Sequence, residues 1–325
     1  MAATHTTLAK SGPMPPPART LAQRLRAGDQ VAHGITLAAA ASILLITALL
    51  VFELYINSTE SRAKFGWSFL ITQTWDPVAD EYGALPFIYG TLVSSALALL
   101  IGVPLGVGAA IFLAELAPPK ISDALTFLIE LLAAVPSVIY GLLGIFVLVP
   151  ILRVAEPSIR ALLGWTPLFQ GPFYGVSLFS AGVVLSVMIV PFIISISREV
   201  IRAVPADQRE AALALGATPW EATWDVVVPY AKSGILGSIF LALARSLGET
   251  MAVTMVIGND PKIKASLFAP GYSIAAVVAN EFTEATGQMY TSALIELGLV
   301  LFALTIIING LARALVATGS MGGKA

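Results

Sequence analysis

Two opposite charges lie in the middle of a long apolar stretch of this chain. Arg245 follows Lys232 by thirteen residues and precedes Asn259 by fourteen, and Glu249 comes four residues after it. If the stretch is a membrane helix, Arg245 lies near the bilayer midplane, where an arginine costs about 2.5–3.5 kcal/mol on insertion scales. A spacing of four puts both side chains on one helix face, so they can form an ion pair.

This pair has two interpretations. A guanidinium group has forked donors that match the oxygens of a phosphate-like anion, which makes Arg245, Glu249 and Thr250 candidates for an oxyanion path. The alternative is a structural ion pair that only fixes helix packing. Ser246 and Thr254 add nearby hydroxyls, but such groups often bond only to helix carbonyls in lipid.

A second apolar stretch contains an internal proline and several glycines. It includes Val135-Pro136-Ser137 and Tyr140-Gly141, so its helix should be kinked or broken. Broken membrane helices commonly line paths, and Ser137 is therefore a further path candidate. A kink that serves packing alone is the alternative. Three other acids near the ends of apolar stretches are interpreted as interfacial residues: Glu115, Glu130 and Glu296.

Composition sets the element type that must position these residues. Hydrophobic residues make up 57% of the 325 and charged residues 12%, which excludes a water-soluble domain. Each membrane segment must satisfy its own backbone, so the fold is all-α. The sequence predicts six spans: 33–56, 86–114, 125–152, 173–196, 233–257 and 291–316.

Several kinds of chemistry are excluded. The chain has no cysteine and two isolated histidines, so no thiolate or histidine-cluster metal site is expected. No Gly-x-x-x-x-Gly-Lys-Ser/Thr phosphate loop occurs, and no nucleophile, base or metal ligands cluster as an enzyme would need. We expect no catalytic residues, no metal and no cofactor on this chain, so ATP-driven transport would need a separate subunit.

Lysine and arginine counts orient the spans. The N-terminal tail, the turns at 115–124 and 197–232 and the C-terminal end from Arg313 onward hold eleven of these residues, against six in the alternate gaps. Both termini should therefore face the cytoplasm. The predicted organisation is a disordered cytoplasmic tail at 1–32, a permease domain at 33–318 with a polar loop at 198–232, and a short tail at 319–325.

The polar loop carries two predicted helix starts. Asp207 with Glu210 fits a capping box for a helix that begins at 207 or 208, and Gly216 suits the left-handed residue that ends it. Thr218 with Glu221 forms a second box, with a proline between them at the first helical position. Pro229 is expected to disturb this second helix near its end. Acids and bases balance in the loop, which disfavours a DNA-binding helix-turn-helix.

The loop resembles the Glu-Ala-Ala loop of binding-protein-dependent ABC importer permeases. The family's loop reads Glu-Ala-Ala, three residues, Gly, nine residues, Ile, one residue and Leu-Pro. This chain fits every spacing, with Val226 and Val228 in place of Ile and Leu. The resemblance implies a type I ABC importer permease fold, whose coupling helix docks on the ATPase. The implied coupling residues are Glu210, Ala211, Ala212, Gly216, Thr218, Glu221 and Pro229.

Longer motifs resemble the PstC family of phosphate permeases, from about residue 35 to 316. They include 245–259, the Val135-Pro136-Ser137 and Tyr140–Gly144 motifs, 83–91 and 266–272. The resemblance implies a bacterial plasma-membrane phosphate importer, in which Arg245 and Glu249 occupy positions tied to phosphate passage. It also implies a PstA-like permease partner, two PstB-like ATPases that bind ATP and Mg, and a PstS-like phosphate-binding protein.

Other functions remain open at this point. A PstA-type subunit or a sulfate or molybdate permease would share much of the pattern. An ATP-independent anion channel or carrier could use Arg245 and Glu249 as well, although it would not need a doubly capped polar loop.

Overall fold

The computed structural model describes residues 29–321, with side chains from 32 to 314. Thirteen α-helices occur in this range: α1 (Asp29–Asn57), α2 (Thr59–Phe65), α3 (Leu85–Ile111), α4 (Pro119–Ala133), α5 (Ser137–Leu143), α6 (Val149–Leu163), α7 (Leu178–Arg202), α8 (Ala206–Ala214), α9 (Pro219–Ala222), α10 (Val228–Leu247), α11 (Met251–Val256), α12 (Ile274–Glu281) and α13 (Gln288–Met321). The predicted tails at 1–32 and 319–325 lie largely outside the described residues.

Six helical segments of the described range are long and apolar enough to cross a membrane. They are Ala32–Asn57, Leu85–Leu116, Ser137–Leu163, Leu178–Arg202, Pro219–Leu247 and Gln288–Ala314. This confirms the prediction of an all-α, multi-pass membrane protein with six spans. The chain divides into two compact units. The first ends at Glu53 and contains most of the first span, and the second begins at Leu54.

Three predicted spans are wrong in their bounds: 173–196 is shifted to Leu178–Arg202, and two others are interrupted. The predicted span 125–152 is divided between α4 and α5, because Pro136 follows the last residues of α4 and cannot continue its hydrogen bonding. The predicted span 233–257 ends early, since α10 stops at Leu247 and α11 starts after a three-residue break. Both interruptions fall in the stretches that carry the path candidates.

The central helix of the second unit is α7, which packs against α3, α10 and α4. Small residues allow the close approach of α7 and α3: a Cβ at Gly182 would overlap Leu97, and Ala98 and Ala181 are fully buried. Pro191 lies inside α7 without ending the helix. The buried helix α7 therefore forms the scaffold on which the interrupted helices are placed.

At one end of the second unit, aromatic side chains from two loops pack against the start of α13. Trp75 and Tyr290 both donate hydrogen bonds to Oε2 of Glu281, at 2.9 and 2.7 Å. Tyr82 stacks on Tyr290 with ring centroids 5.6 Å apart. Burial raises the pKa of Tyr272 to about 12, so its hydroxyl stays protonated at neutral pH. These contacts hold the loops at 57–85 and 258–287 to the start of α13.

Candidate functional site

The break between α4 and α5 is confirmed where the sequence predicts a kinked or broken helix. Pro136 is the residue before α5, and Ser137 is the first residue of the new helix. The Tyr140 hydroxyl reaches back across the break and donates a hydrogen bond of 2.7 Å to the carbonyl of Leu132. The free amide groups of a helix start carry positive partial charge, so the half-buried Ser137 lies at an electropositive helix terminus.

A second break separates α10 from α11. The helix α10 ends at Leu247, with Gly248 as its C-terminal cap, and α11 begins at Met251. The carboxylate of Glu249 accepts a hydrogen bond of 3.2 Å from the amide of Ala252, in the first turn of α11. Glu249 therefore stabilises the start of the short helix.

The predicted ion pair between Arg245 and Glu249 is wrong for the described part of the chain. No carboxylate lies within 4.0 Å of the Arg245 guanidinium in this range. A spacing of four gives a shared face only in a continuous helix, and the chain leaves the helix at Gly248, between the two residues. The interpretation of these charges as a structural pair loses its geometric basis.

The two interrupted helices pack directly on each other. A Cβ at Gly141 of α5 would lie 2.5 Å from Sδ of Met255 and 3.1 Å from Cα of Ala252, both in α11. A Cβ at Gly144 would likewise lie 2.8 Å from Cγ1 of Val256. Glycine at these positions thus permits the backbones to approach closely. The packing joins the two breaks into one local arrangement.

Arg245 lies in the last turn of α10, beside this arrangement, and is exposed on the surface of the chain. Its guanidinium carbon is 5.7 Å from the ring centroid of Phe192 on α7, and it is near enough to the Tyr140 hydroxyl to interact with it electrostatically. The aromatic face offers a weak cation–π contact that leaves the forked donors free for another group.

The nearby hydroxyls mostly bond to their own helices. Ser246 donates to the carbonyl of Leu243 and Thr254 to that of Thr250, at 2.9 and 2.8 Å. Thr250 precedes α11 and makes a longer contact of 3.3 Å with the carbonyl of Gly248. Ser246 and Thr254 are therefore occupied, whereas Thr250 lies in the break with a weakly held hydroxyl.

The Glu-Ala-Ala segment forms two short helices with a tight turn between them, as predicted. Gly216 has a φ of 94°, in the left-handed region. The amides of Gly216 and Ala217 donate to the carbonyls of Leu213 and Ala212, at 3.0 and 3.1 Å, which is a Schellman ending of α8. Thr218 and Glu221 form the predicted capping box at the start of α9.

Two predictions for this segment are wrong. The helix α8 begins at Ala206, after Pro205, and no side chain caps it, so Asp207 forms no capping box with Glu210. Pro205 sets the entry of the chain and leaves Asp207 inside the first turn. The prediction for Pro229 is wrong in its position: no helix ends near it, because the π-helical turn Thr223–Val227 precedes it and the helical segment continues to Leu247.

The segment has a buried side and an exposed apolar side. Ala212 is buried, whereas Glu210 and Ala211 are exposed. Leu215 is 90% exposed, and the exposed rings of Trp220 and Trp224 lie edge to face with centroids 5.5 Å apart. The exposed side is defined here as Leu213, Leu215, Trp220 and Trp224. Such a large apolar patch on an ordered loop is typical of a protein-binding surface.

One ion pair that sequence reasoning missed fastens the segment to the rest of the unit. Nε and Nη2 of Arg209 donate to the carboxylate of Glu115, with a shortest distance of 2.7 Å. Nη1 and Nη2 also donate to the carbonyls of Val204 and Ile201, at 2.5 and 2.8 Å. Arg209 thus bridges the end of α7 and the π-helical turn after α3.

A second link lies beside the first. Arg198 is buried near the end of α7, and its Nη2 contacts the hydroxyl of Ser122 at 3.4 Å and the carboxylate of Asp123 at 3.7 Å. Arg202 also donates to Ser122, at 3.3 Å. Both arginines therefore hold the turn between α3 and α4 against α7.

Known proteins resemble this chain over most of its length. Residues 102–318 match the family model described as binding-protein-dependent transport system inner membrane component. A Mesorhizobium japonicum protein named phosphate transport system permease protein PstC is 46% identical over 90% of each chain. A protein of the same name from Pasteurella multocida is 47% identical over 84% of this chain and 87% of its own.

A solved structure shares the fold. An inward-facing chain of the MetNI methionine ABC transporter aligns with a TM-score of 0.50 at 16% identity, covering 74% of this chain and 99% of its own. This confirms the predicted fold, that of an ABC importer permease. From the extent of the family match and the identity to its relatives, the chain belongs to the family of binding-protein-dependent transport system inner membrane components.

Proposed function

We propose that this chain is a permease subunit of an ATP-driven phosphate importer and forms half of its translocation path. The observation that carries the proposal is the near full-length similarity to proteins named phosphate transport system permease protein PstC. The names of the relatives indicate phosphate as the substrate, and the geometry of this chain supports an anionic substrate.

Phosphate would pass beside Arg245, Thr250 and the start of α5 at Ser137. Half-helix N-termini in transporters favour anionic groups, because their free amides and dipoles present positive charge. The guanidinium of Arg245 has no carboxylate partner within the described range and lies on the chain's own surface. An exposed path residue is expected if a PstA-like second permease closes the other side.

The Glu-Ala-Ala segment would dock on one of two PstB-like ATPases, which bind ATP and Mg. Its exposed apolar side has two tryptophans and two leucines, the composition of an interface core. On this proposal, the segment and both termini lie in the cytoplasm of a bacterial cell. A PstS-like binding protein would deliver phosphate at the opposite end of the molecule.

Uptake of labelled phosphate into cells with the complete transporter tests the path. Arg245→Gln should abolish uptake while the complex still assembles, because the substitution removes the charge and retains most of the side-chain volume. Arg160→Gln, which changes an exposed arginine outside the path, is the matched control and should transport normally. Excess sulfate or molybdate should not compete.

The double variant Arg245→Gln with Glu249→Gln separates the path from a structural pair. Since Glu249 caps α11 and does not pair with Arg245, removing both charges should not restore uptake. Normal uptake by either variant would refute the path. Uptake that persists after ATP depletion would favour an ATP-independent channel or carrier.

A further inference from the structure

We propose that a groove beside the start of α13 binds one phospholipid whose head group carries a primary ammonium. The groove has a volume of about 610 Å³ and lies between α13, α2 and the 3₁₀ turn Gly66–Leu70. Its polar lining is Glu296 and Arg62, with Trp67 and Tyr55 among the aromatic residues. The rest of its wall is mainly aliphatic: Leu70, Ile88, Leu299, Val300, Ala303, Leu304 and Ile307.

Glu296 is an acid without a partner. Glu296 is 6% exposed, and neither of its carboxylate oxygens makes a hydrogen bond to any residue between 32 and 314. The Ser61 hydroxyl lies near enough to interact with this carboxylate electrostatically, and its oxygen is also buried without a partner at hydrogen-bond geometry in the described range. An unpaired carboxylate in such a place is costly, so this part of the groove suits a group that donates several hydrogen bonds.

The nearest cation, Arg62, forms no ion pair with Glu296. Arg62 donates to the carbonyl of Tyr55 at 2.5 Å and to the Ser58 hydroxyl at 3.0 Å, and its guanidinium lies 3.7 Å over the Tyr55 ring. These contacts hold it in the groove lining but beyond 4.0 Å from the Glu296 carboxylate. The groove therefore presents one negative and one positive group that are both available to a ligand.

A zwitterionic lipid head group complements both. Its ammonium has three donors for Glu296 and the Ser61 hydroxyl, its phosphate accepts from Arg62, and an acyl chain lies along the aliphatic wall. Glu296 is eight residues into α13, about 12 Å from its start. The exposed Trp67 at the groove is of a residue type enriched at the level of lipid head groups.

The groove is too small for a helix of a partner protein to enter. Its volume lies within the range of small-ligand pockets, about 300–1,000 Å³. A partner segment would also have to bring a basic and an acidic side chain to the correct positions together, whereas the head group of a single lipid has both charges. These features favour a lipid ligand.

Native mass spectrometry of the full-length chain, purified with its co-purifying subunits, tests the site. The probes are phosphatidylethanolamine, phosphatidylcholine and phosphatidylglycerol, added separately at equal concentration. Wild type should retain phosphatidylethanolamine about tenfold better than the other two, the ratio for one charge-assisted hydrogen bond. Phosphatidylcholine lacks ammonium hydrogens, and phosphatidylglycerol lacks the amine.

Variants assign the contacts. Glu296→Gln should remove the preference for phosphatidylethanolamine, and Arg62→Gln should weaken retention of all three lipids. Glu284→Gln, an exposed acid at the same end of the molecule, should behave as wild type. Equal retention of the three lipids by wild type, or an unchanged preference in Glu296→Gln, would overturn the proposal. Loss of a subunit from Glu296→Gln without any change in lipid would overturn it in favour of protein docking.

Discussion

The ion pair of Arg209 and Glu115 should determine how firmly the Glu-Ala-Ala segment is held. Glu115→Gln keeps the shape of the side chain and removes the charge that receives the Arg209 fork. The side chains are 24% and 9% exposed, so the pair is largely desolvated. Breaking a buried pair from one side costs about 3–5 kcal/mol, and we expect the lower end, because Arg209 keeps its bonds to two carbonyls. A loss of about 3 kcal/mol raises the detached population of the segment about a hundredfold.

Two measurements on the reconstituted transporter check this expectation. Amide hydrogen exchange in 206–217 should become about a hundredfold faster, since exchange follows local opening. Phosphate transported per ATP hydrolysed should fall, because a loosely held segment passes less of the ATPase movement to the membrane helices. ATPase activity itself should persist.

A matched control separates this pair from any loss of a surface charge. Asp260→Asn breaks the ion pair with Lys264, which joins residues four apart at 3.1 Å and is 25% and 45% exposed. Surface pairs contribute about 0–1 kcal/mol, so exchange and coupling should not change. If Glu115→Gln leaves both quantities as Asp260→Asn does, the pair does not hold the segment and the reasoning is refuted.

Three glycine positions give further tests. Gly216→Val puts a branched side chain at a φ of 94°, which should cost about 1–3 kcal/mol and lower the phosphate uptake per ATP hydrolysed. Gly216→Asn should keep more of this uptake, because asparagine tolerates the left-handed region. If the valine variant transports as much phosphate per ATP as wild type, the turn need not be rigid. Gly90→Ala would force its Cβ into the carbonyl oxygen of Tyr272 and should lower the melting temperature. The control Gly237→Ala, in an open helix position, should keep or raise the melting temperature. A wild-type melting temperature for Gly90→Ala would count against the contact. Gly141→Leu should separate α5 from α11 and abolish uptake in the assembled transporter, with Gly237→Ala as control; retained uptake would show that their close packing is not needed.

Local signals in the sequence predicted the features that depend on a few neighbouring residues. The capping box of Thr218 and Glu221 and the left-handed Gly216 each need only their own turn to form. The same kind of reasoning predicted a cap at Asp207 that does not form, because the helix already starts at Ala206, directly after Pro205. A cap is predictable when one residue type competes for it, and uncertain when two do.

The misplaced ion pair has a different cause. Arg245 and Glu249 have the spacing of a helical pair, but Gly248 between them ends α10, and tertiary packing of α11 on α5 decides where the chain goes next. The sequence contains no proline at this break, unlike the break at Pro136. Helix propensity is too weak to predict an interruption that a neighbouring helix stabilises.

Long-range partners were out of reach for similar reasons. Arg209 and Glu115 are 94 residues apart, and nothing local distinguishes Glu115 from the other acids near span ends. The sequence did not indicate that Glu115 pairs with Arg209 or that Glu296 is buried without a hydrogen-bond partner in the described range. A signal was available only for Arg209, as a base beside the Glu-Ala-Ala residues of an apolar chain.

The helix from Pro219 to Leu247 connects the Glu-Ala-Ala segment with the helix break at Gly248–Thr250. Its 29 residues span about 43 Å, with the exposed Trp220 in the first turn and Arg245 in the last. The break at Gly248–Thr250 follows at once, and beyond it α11 is packed on α5. On the proposed function, a displacement by the ATPase at Trp220 is transmitted along this helix to Arg245, while α5 and α11 can stay together. If Arg245 moves in this way, the break would separate it from the starts of α5 and α11, so that the proposed anion contacts could change without unpacking the two short helices.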